Sequence, residues 1–257
     1  SDVIYRSDNN FQLGIVSEKY NIVQPKEVLS FYIDLVGLEG WKLDVVGQLD
    51  GGKRLWALAK TDVSFFAGND SEDIMDVYLL LTTTFDGSSS TIGKFICIRA
   101  ACGNSLTLAV GKNEGLGKVT VHHKSEFNPK KVKEKLSIYK KASEIAEDQV
   151  NTLTKKKIND KQAVRFLIDI LEHDGADPDK LSARNANIIT SVFELYKGQG
   201  IGSNWESSKG TAWGLLNALT QHVDYNVGRN DNNRMRAAWF GLGETLKIKA
   251  MNKLLAI

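Results

Sequence analysis

The sequence has little of what usually announces chemistry. It holds two cysteines, Cys97 and Cys102, and four histidines in 257 residues. Two thiols cannot build a thiolate zinc cluster. Cys97 and Cys102 lie in a strand-like segment at an odd separation. Alternation puts them on opposite faces, so no disulfide is expected between them, and free thiols fit a reducing cytoplasm. His122 and His123 are neighbours and would point to opposite sides of a strand. His173 stands alone, and His222 and Asp224 sit about 200° apart around a helix. No histidine falls into a catalytic or metal-ligating pattern. The three prolines, Pro25, Pro129 and Pro178, leave no Pro-rich linker. No apolar run approaches the roughly 20 residues of a membrane span. Ser1–Asn10 is polar, without a signal-peptide pattern. A cytoplasmic protein with no membrane partner is the expectation.

Net charge is also scarce. Thirty-three Lys and Arg face 31 Asp and Glu, for a formal charge of +2. This excludes a uniformly basic coat and an acidic tail. The balance hides a segregation, however. Residues 1–117 carry −5, residues 118–161 carry +6 and residues 162–257 carry +1. The middle stretch holds 12 lysines. It can attract a polyanion if they share a face, or form an ordinary solvated helix face.

What is present is clear patterning. Phe11–Val16 is a short apolar run that suits a strand. Pro25 opens a helix on which Val28, Phe31, Tyr32, Leu35 and Val36 recur with the helical period up to Gly37. Trp41–Leu49 and Lys53–Ala59 flank Asp50-Gly51-Gly52, a hairpin signal. Ile74–Phe85 and Thr91–Ala101 flank Asp86-Gly87-Ser88 and predict a second hairpin. Ser105–Val110 and Lys118–His123 extend the strand-rich region. After Pro129, the residues Val132, Leu136, Tyr139, Ser143, Ala146, Val150 and Leu153 form a heptad-like stripe. Ile138 and Ile145 widen it toward a sheet-packing face. Asn159-Asp160 caps a helix carrying Val164, Leu167, Ile168 and Leu171. Ala183–Tyr196, Thr211–Val223 and Arg234–Leu255 read as three more helices. The order predicts an α+β fold: an N-terminal antiparallel sheet of hairpins with one early helix, then a long helix and a C-terminal helical region. The expected division is a strand-rich 1–128 and a helical 129–257 packed as one body.

Three constellations admit a functional and a structural reading. Gly198-Gln199-Gly200-Ile201-Gly202 could present amides to a phosphate, but no P-loop or dinucleotide fingerprint is present, and a loop is the plainer account. Arg229, Arg234 and Arg236 could grip phosphate as forks, or pair with Asp224, Asp231 and Glu244 to fasten helices. Arg54 shares a strand face with Trp56. That pair could stack a base, or Trp56 could be core with Arg54 at the sheet edge.

Several segments together resemble a family of phage and plasmid proteins described only as a domain of unknown function. They are Leu13-Gly14-x-Val16-x3-Tyr20-x-Ile22-Val23-Gln24, Leu49-Asp50-Gly51-Gly52-Lys53-Arg54-Leu55-Trp56 and Phe85-Asp86-Gly87-Ser88. Further along come Ile98-Arg99-x2-Cys102-Gly103-Asn104-Ser105-Leu106, Gly210-Thr211-Ala212-Trp213-Gly214-x2-Asn217-Ala218-x-Thr220-x3-Asp224, and Trp239-Phe240-Gly241-x-Gly243. They span almost the whole chain. The order of an early helix, a hairpin containing Gly40-Trp41, long antiparallel strands and a long helix is similar to the Rad-fifty-two-like fold of phage single-strand annealing proteins.

That second resemblance implies an ATP-independent DNA recombination protein, with no catalytic residue, cofactor or metal. It would bind single-stranded DNA, promote annealing, and assemble as a ring or helical arc of identical subunits. The acidic strand region, at −5, departs from a DNA site built on the sheet alone. The implied DNA-contacting residues are Arg54, Trp56, Arg99, Lys130, Lys131, Lys133, Lys140, Arg229, Arg234 and Arg236. The alternatives are a protein-binding regulatory or anti-defence factor, and an enzyme on a small molecule or nucleotide using the Gly198–Gly202 loop.

Overall fold

The computed structural model describes residues 1–20, 22–37, 39–107, 118–121 and 139–257, the stretch 118–121 by its backbone only. Within them the fold is α+β, strands first and helices after. Strands β1 (Asp2–Tyr5) and β2 (Gln12–Val16) form an antiparallel hairpin, with a register shift between Ile4 and Tyr5. The polar opening residues hid β1, whose strand-forming core is Val3-Ile4-Tyr5. Helix α1 (Pro25–Gly37) follows, burying Val28, Tyr32, Leu35 and Val36.

A six-stranded sheet comes next, in the order β3 (Lys42–Leu49), β4 (Arg54–Phe66), β5 (Ile74–Thr84), β6 (Thr91–Arg99) and β7 (Ser105–Thr107), with β8 (Lys118–Val121) also paired to β6. Both expected hairpins form. The first turns through Asp50–Gly52 and pairs from Leu49 opposite Arg54 to Lys42 opposite Lys60, with a register shift between Leu43 and Val45. In the second, Asp86 Oδ1 accepts the Ser88 N–H at 2.9 Å, a side-chain turn of the kind Asp favours.

The helices are α2 (Tyr139–Lys155), α3 (Asp160–Leu171), α4 (Ala183–Glu194), α5 (Ala212–Gln221), α6 (Asp231–Phe240) and α7 (Leu242–Ala256). The expected stripe is found on α2: Tyr139, Ser143, Ala146, Val150 and Leu153 are buried, while its first members, Val132 and Leu136, and the flanking Ile138 lie outside the described residues. Asn159 caps α3 in a full capping box with Gln162. Arg234–Leu255 is not one helix. It breaks at Gly241, where φ is −137° and ψ −152°. Two glycines within three positions each weaken a helix by about 1 kcal/mol.

The chain forms two compact units that interleave in sequence. The first holds Ser1–Val63, Val77–Ile96 and the described part of 108–143; the second holds Ser64–Asp76, Cys97–Thr107 and Glu144–Ile257. In the first, Trp41, Phe95 and Tyr139 cluster with ring centroids 4.9 to 6.2 Å apart. The Tyr139 hydroxyl donates to Asp62 at 2.7 Å. This bond holds the Asp62 carboxyl below its usual range. In the second, α5 is buried from Ala212 through Thr220, as suits a helix apolar on every side. Cys97 and Cys102 are both free and buried. Among the described residues no helix is long and apolar enough to cross a membrane.

Candidate functional site: an N-terminal cleft and a buried polar core

The first unit contains a cleft of about 590 Å³, within the usual range of ligand pockets. Its apolar lining includes Ile4, Leu13, Leu55 and Phe85. Two continuous stretches of chain border it, Val3–Asp8 and Ile22–Pro25. Arg6 is fixed at one end. Its Nε and Nη2 fork onto the Asp8 carboxylate at 2.9 and 2.6 Å, and its Nη1 donates to Gly51 O at 3.0 Å and Gln48 Oε1 at 3.3 Å. The guanidinium holds the Asp8 carboxyl below its usual range, so the two charges largely cancel. Tyr20 reaches Thr84 O at 3.5 Å from its hydroxyl.

The second unit is held by two buried polar networks. In one, Arg99, 1% exposed, clasps the fully buried Asp73 through Nε at 2.6 Å and Nη2 at 2.8 Å. Asp73 Oδ2 also accepts from Ser207 Oγ at 2.7 Å and Trp213 Nε1 at 2.9 Å. Arg99 extends Nη1 to Ile201 O at 3.0 Å and Nη2 to Ser208 Oγ at 3.0 Å, and lies 4.8 Å over the Trp205 ring. In the other, Lys247 Nζ donates to Asp224 Oδ1 at 2.7 Å, Ser105 O at 2.7 Å and Ser105 Oγ at 3.0 Å. Burial pushes the Lys247 ammonium below its usual pKa, against the pull of Asp224. A serine hydroxyl beside such a lysine can be a nucleophile. Here, Ser105 Oγ donates to Asp224 Oδ2 at 3.1 Å and accepts from Trp239 Nε1 at 2.9 Å, and Ser105 is 3% exposed. Both networks close on themselves, and their role is to lock strand ends to helices.

These networks explain the segments that carried the resemblance. Arg99, Asn104, Ser105, Trp213, Asn217, Asp224 and Trp239 meet in the second unit's interior, with Asn104 Nδ2 donating to Asn217 O at 3.2 Å. Leu13, Tyr20, Gln24, Gly52, Leu55 and Phe85, from the early segments, line the cleft of the first. The family model of a domain of unknown function, DUF932, matches residues 12–239. The chain belongs to that family. No curated protein and no solved structure matches it.

The DUF932 chain disposes of the expected DNA contacts unevenly. Arg99 is buried, and its charge is paired with that of Asp73. Trp56 is 7% exposed and offers no stacking face. It lies against its cross-strand partner Gly47, where a Cβ would stand 2.4 Å from the indole. Arg54 is half-buried and donates to Thr82 Oγ1 at 3.3 Å. Lys140 is exposed, 3.9 Å from Asp62. Arg229 and Arg236 are exposed, while Arg234 is partly buried with Nη2 3.4 Å from Asp231. Lys130, Lys131 and Lys133 lie outside the described residues.

Arg54, Trp56 and Lys140 belong to the first unit, and Arg99, Arg229, Arg234 and Arg236 to the second. The acids expected to fasten the arginines divide: Asp231 pairs with Arg234, Asp224 takes Lys247, and Glu244 takes Thr107 at 2.6 Å. In the Gly198–Gly202 loop, the Gly200 N–H goes to Leu195 O and the Ile201 N–H to Gln221 Oε1, both at 3.0 Å. Those amides are not aimed at a ligand. His222 is buried with Nδ1 3.1 Å from Ser191 Oγ, and burial lowers its pKa. Among the described residues, no group of three His, Cys, Asp or Glu could hold a metal. The sequence gives no signal of the cleft, because β1, one of its two borders, lies in a polar opening.

Proposed function

We propose that this DUF932 protein binds single-stranded DNA through the lysine-rich stretch 118–161 and promotes annealing without ATP, assembled as a ring or helical arc. The observation that carries the reading is the placement of charge. The stretch holds +6 while the residues on either side hold −5 and +1. Among its lysines with described side chains, Lys140, Lys141, Lys155, Lys157 and Lys161 are exposed, whereas Lys156 is half-buried and donates to Leu254 O at 2.9 Å. The resemblance to phage annealing proteins points the same way. Arg99 and Trp56 drop out of the contact set, and the sheet contributes at most Arg54. Lysines contact backbone phosphate as point charges. Binding of that kind tolerates any sequence and leaves base edges free to pair with a second strand.

The test is fluorescence anisotropy of a labelled thirty-nucleotide oligo-dT across a salt series. Neutralising about five phosphates per protomer gives a slope of log K against log salt of roughly −3 to −4. Changing Lys130, Lys131, Lys133 and Lys140 together to Gln flattens the slope and weakens binding far more than changing Arg229 and Arg236. A slope near zero, or no binding, refutes the reading. Light scattering with and without the oligonucleotide tests assembly, and a monomer in both removes the ring or arc.

A further inference from the structure

We infer that the cleft of the first unit is a strand-addition groove, which takes an extended, largely apolar peptide segment of another protein along the free edge of β1. The inference stands apart from the DNA reading and rests on different residues.

The main chain supplies the first argument. Arg6 directs both of its backbone groups toward the chain leading into β2: its N–H donates to Phe11 O at 2.9 Å, and its C=O accepts from Asn10 N at 3.0 Å. The extra residue at the register shift lies on β2, where Gln12 faces Tyr5 and Gly14 faces Ile4, so β1 itself alternates regularly. Alternation then turns the N–H and C=O of Tyr5 and Val3 to the opposite edge. β1 pairs with β2 and no other strand among the described residues. Three consecutive β1 residues, Val3–Tyr5, line the cleft, followed by Arg6–Asp8 of the turn. A strand that borders a cavity with consecutive residues presents its edge to it, since either face would contribute every second one.

The chemistry of the cleft completes the match. Two donors and two acceptors at strand spacing fit another extended backbone. The lining of Ile4, Leu13, Leu55 and Phe85 takes apolar side chains from alternate positions of the incoming strand. The compensated Arg6–Asp8 pair at one end gives no reason for a charged peptide. A second copy of the chain fits poorly. Its own β1 edge is bordered by its Ile22–Pro25 stretch, so pairing two β1 edges about a two-fold axis would bring those stretches together. A lone extended segment has no such obstacle.

The experiment pans a displayed library of random dodecapeptides on the full chain, then measures the most enriched sequence as a fluorescein-labelled peptide. Enriched sequences carry apolar residues at i and i+2. Tyr5→Pro weakens the labelled peptide at least tenfold while leaving the thermal unfolding midpoint in place, because proline is tolerated on an edge strand whose N–H faces outward. Amide exchange in the unaltered chain gives a reading that needs no variant. The Val3 and Tyr5 amides exchange fast in the free protein and slow down with peptide bound, whereas the Arg6 amide is slow in both. Four results overturn the inference: no enrichment over an empty support; peptides that bind Tyr5→Pro equally well and leave both amides unchanged; Val3 and Tyr5 amides already slow in the free chain; or a peptide-free dimer that Tyr5→Pro abolishes.

Discussion

Replacing Asp73 by Asn changes one oxygen to an amide of nearly the same size, and the second unit should lose much of its stability. Asp73 is fully buried and receives four donors on its two oxygens: Arg99 Nε and Nη2, Ser207 Oγ and Trp213 Nε1, at 2.6 to 2.9 Å. In Asp73→Asn, an NH2 group faces donors, and the Arg99 charge is left without its counter-ion at 1% exposure. Breaking a buried ion pair from one side destabilises by about 3–5 kcal/mol. Each neutral hydrogen bond adds about 1 kcal/mol when lost alone. These overlap, so about 4 kcal/mol is the expected total. With a urea m-value of about 2–3 kcal/mol/M, the midpoint falls by about 1.3–2 M. Tryptophan fluorescence reports the transition, because Trp213 donates to Asp73 and Trp205 lies under Arg99. The companion variant Asp73→Leu with Arg99→Met removes both charges together and should regain most of the loss. A loss below about 1 kcal/mol for Asp73→Asn, or a double variant no more stable than either single one, would refute the view of Asp73–Arg99 as a closed, desolvated pair.

Other perturbations test separate parts of the molecule. His222 is held below its usual pKa by burial, so the unfolded chain takes up a proton near pH 6.5 that the folded chain refuses. Stability therefore falls as pH drops from 7.5 to 5.5, above the carboxylate range, and His222→Gln flattens that fall in urea titrations at the two pH values. Gly47→Ala puts a methyl 2.4 Å from the Trp56 ring; a loss of about 1–3 kcal/mol, with a shifted tryptophan emission, is expected. Asn159→Ala removes the acceptor of the Gln162 N–H and with it the capping box of α3, lowering stability by about 1 kcal/mol by thermal melting.

Local features of this chain were legible where they are decided locally. Asp-Gly turns set both hairpins, and the periodic stripe on α2 is the face that packs. Asn159 caps as its side chain dictates, with Gln162 closing the box. The site was less legible, because a charged or aromatic residue has the same letter whether buried or exposed. In the sequence alone, Arg99 reads as an available cation. What silences it is Asp73, 26 residues away, and only the pairing of strands decides that they meet. Trp56 was open to either reading until Gly47 proved to be its cross-strand neighbour. The same holds for Asp224, whose partner is Lys247 rather than the arginines beside it in sequence.

The interleaving of the units also bears on how the protein is made. Trp213 donates to an acceptor 140 residues earlier in the chain. At roughly 5–20 residues per second, a ribosome needs about 7–28 seconds to travel from one to the other. During that interval Asp73 and Arg99 exist without the serines and the indole that complete their shell. The second unit thus cannot mature as the chain emerges and must wait for its last helices. A fragment beginning at residue 144, however natural the cut looks on paper, would carry Trp213 and Ser207 with nothing to receive their hydrogens.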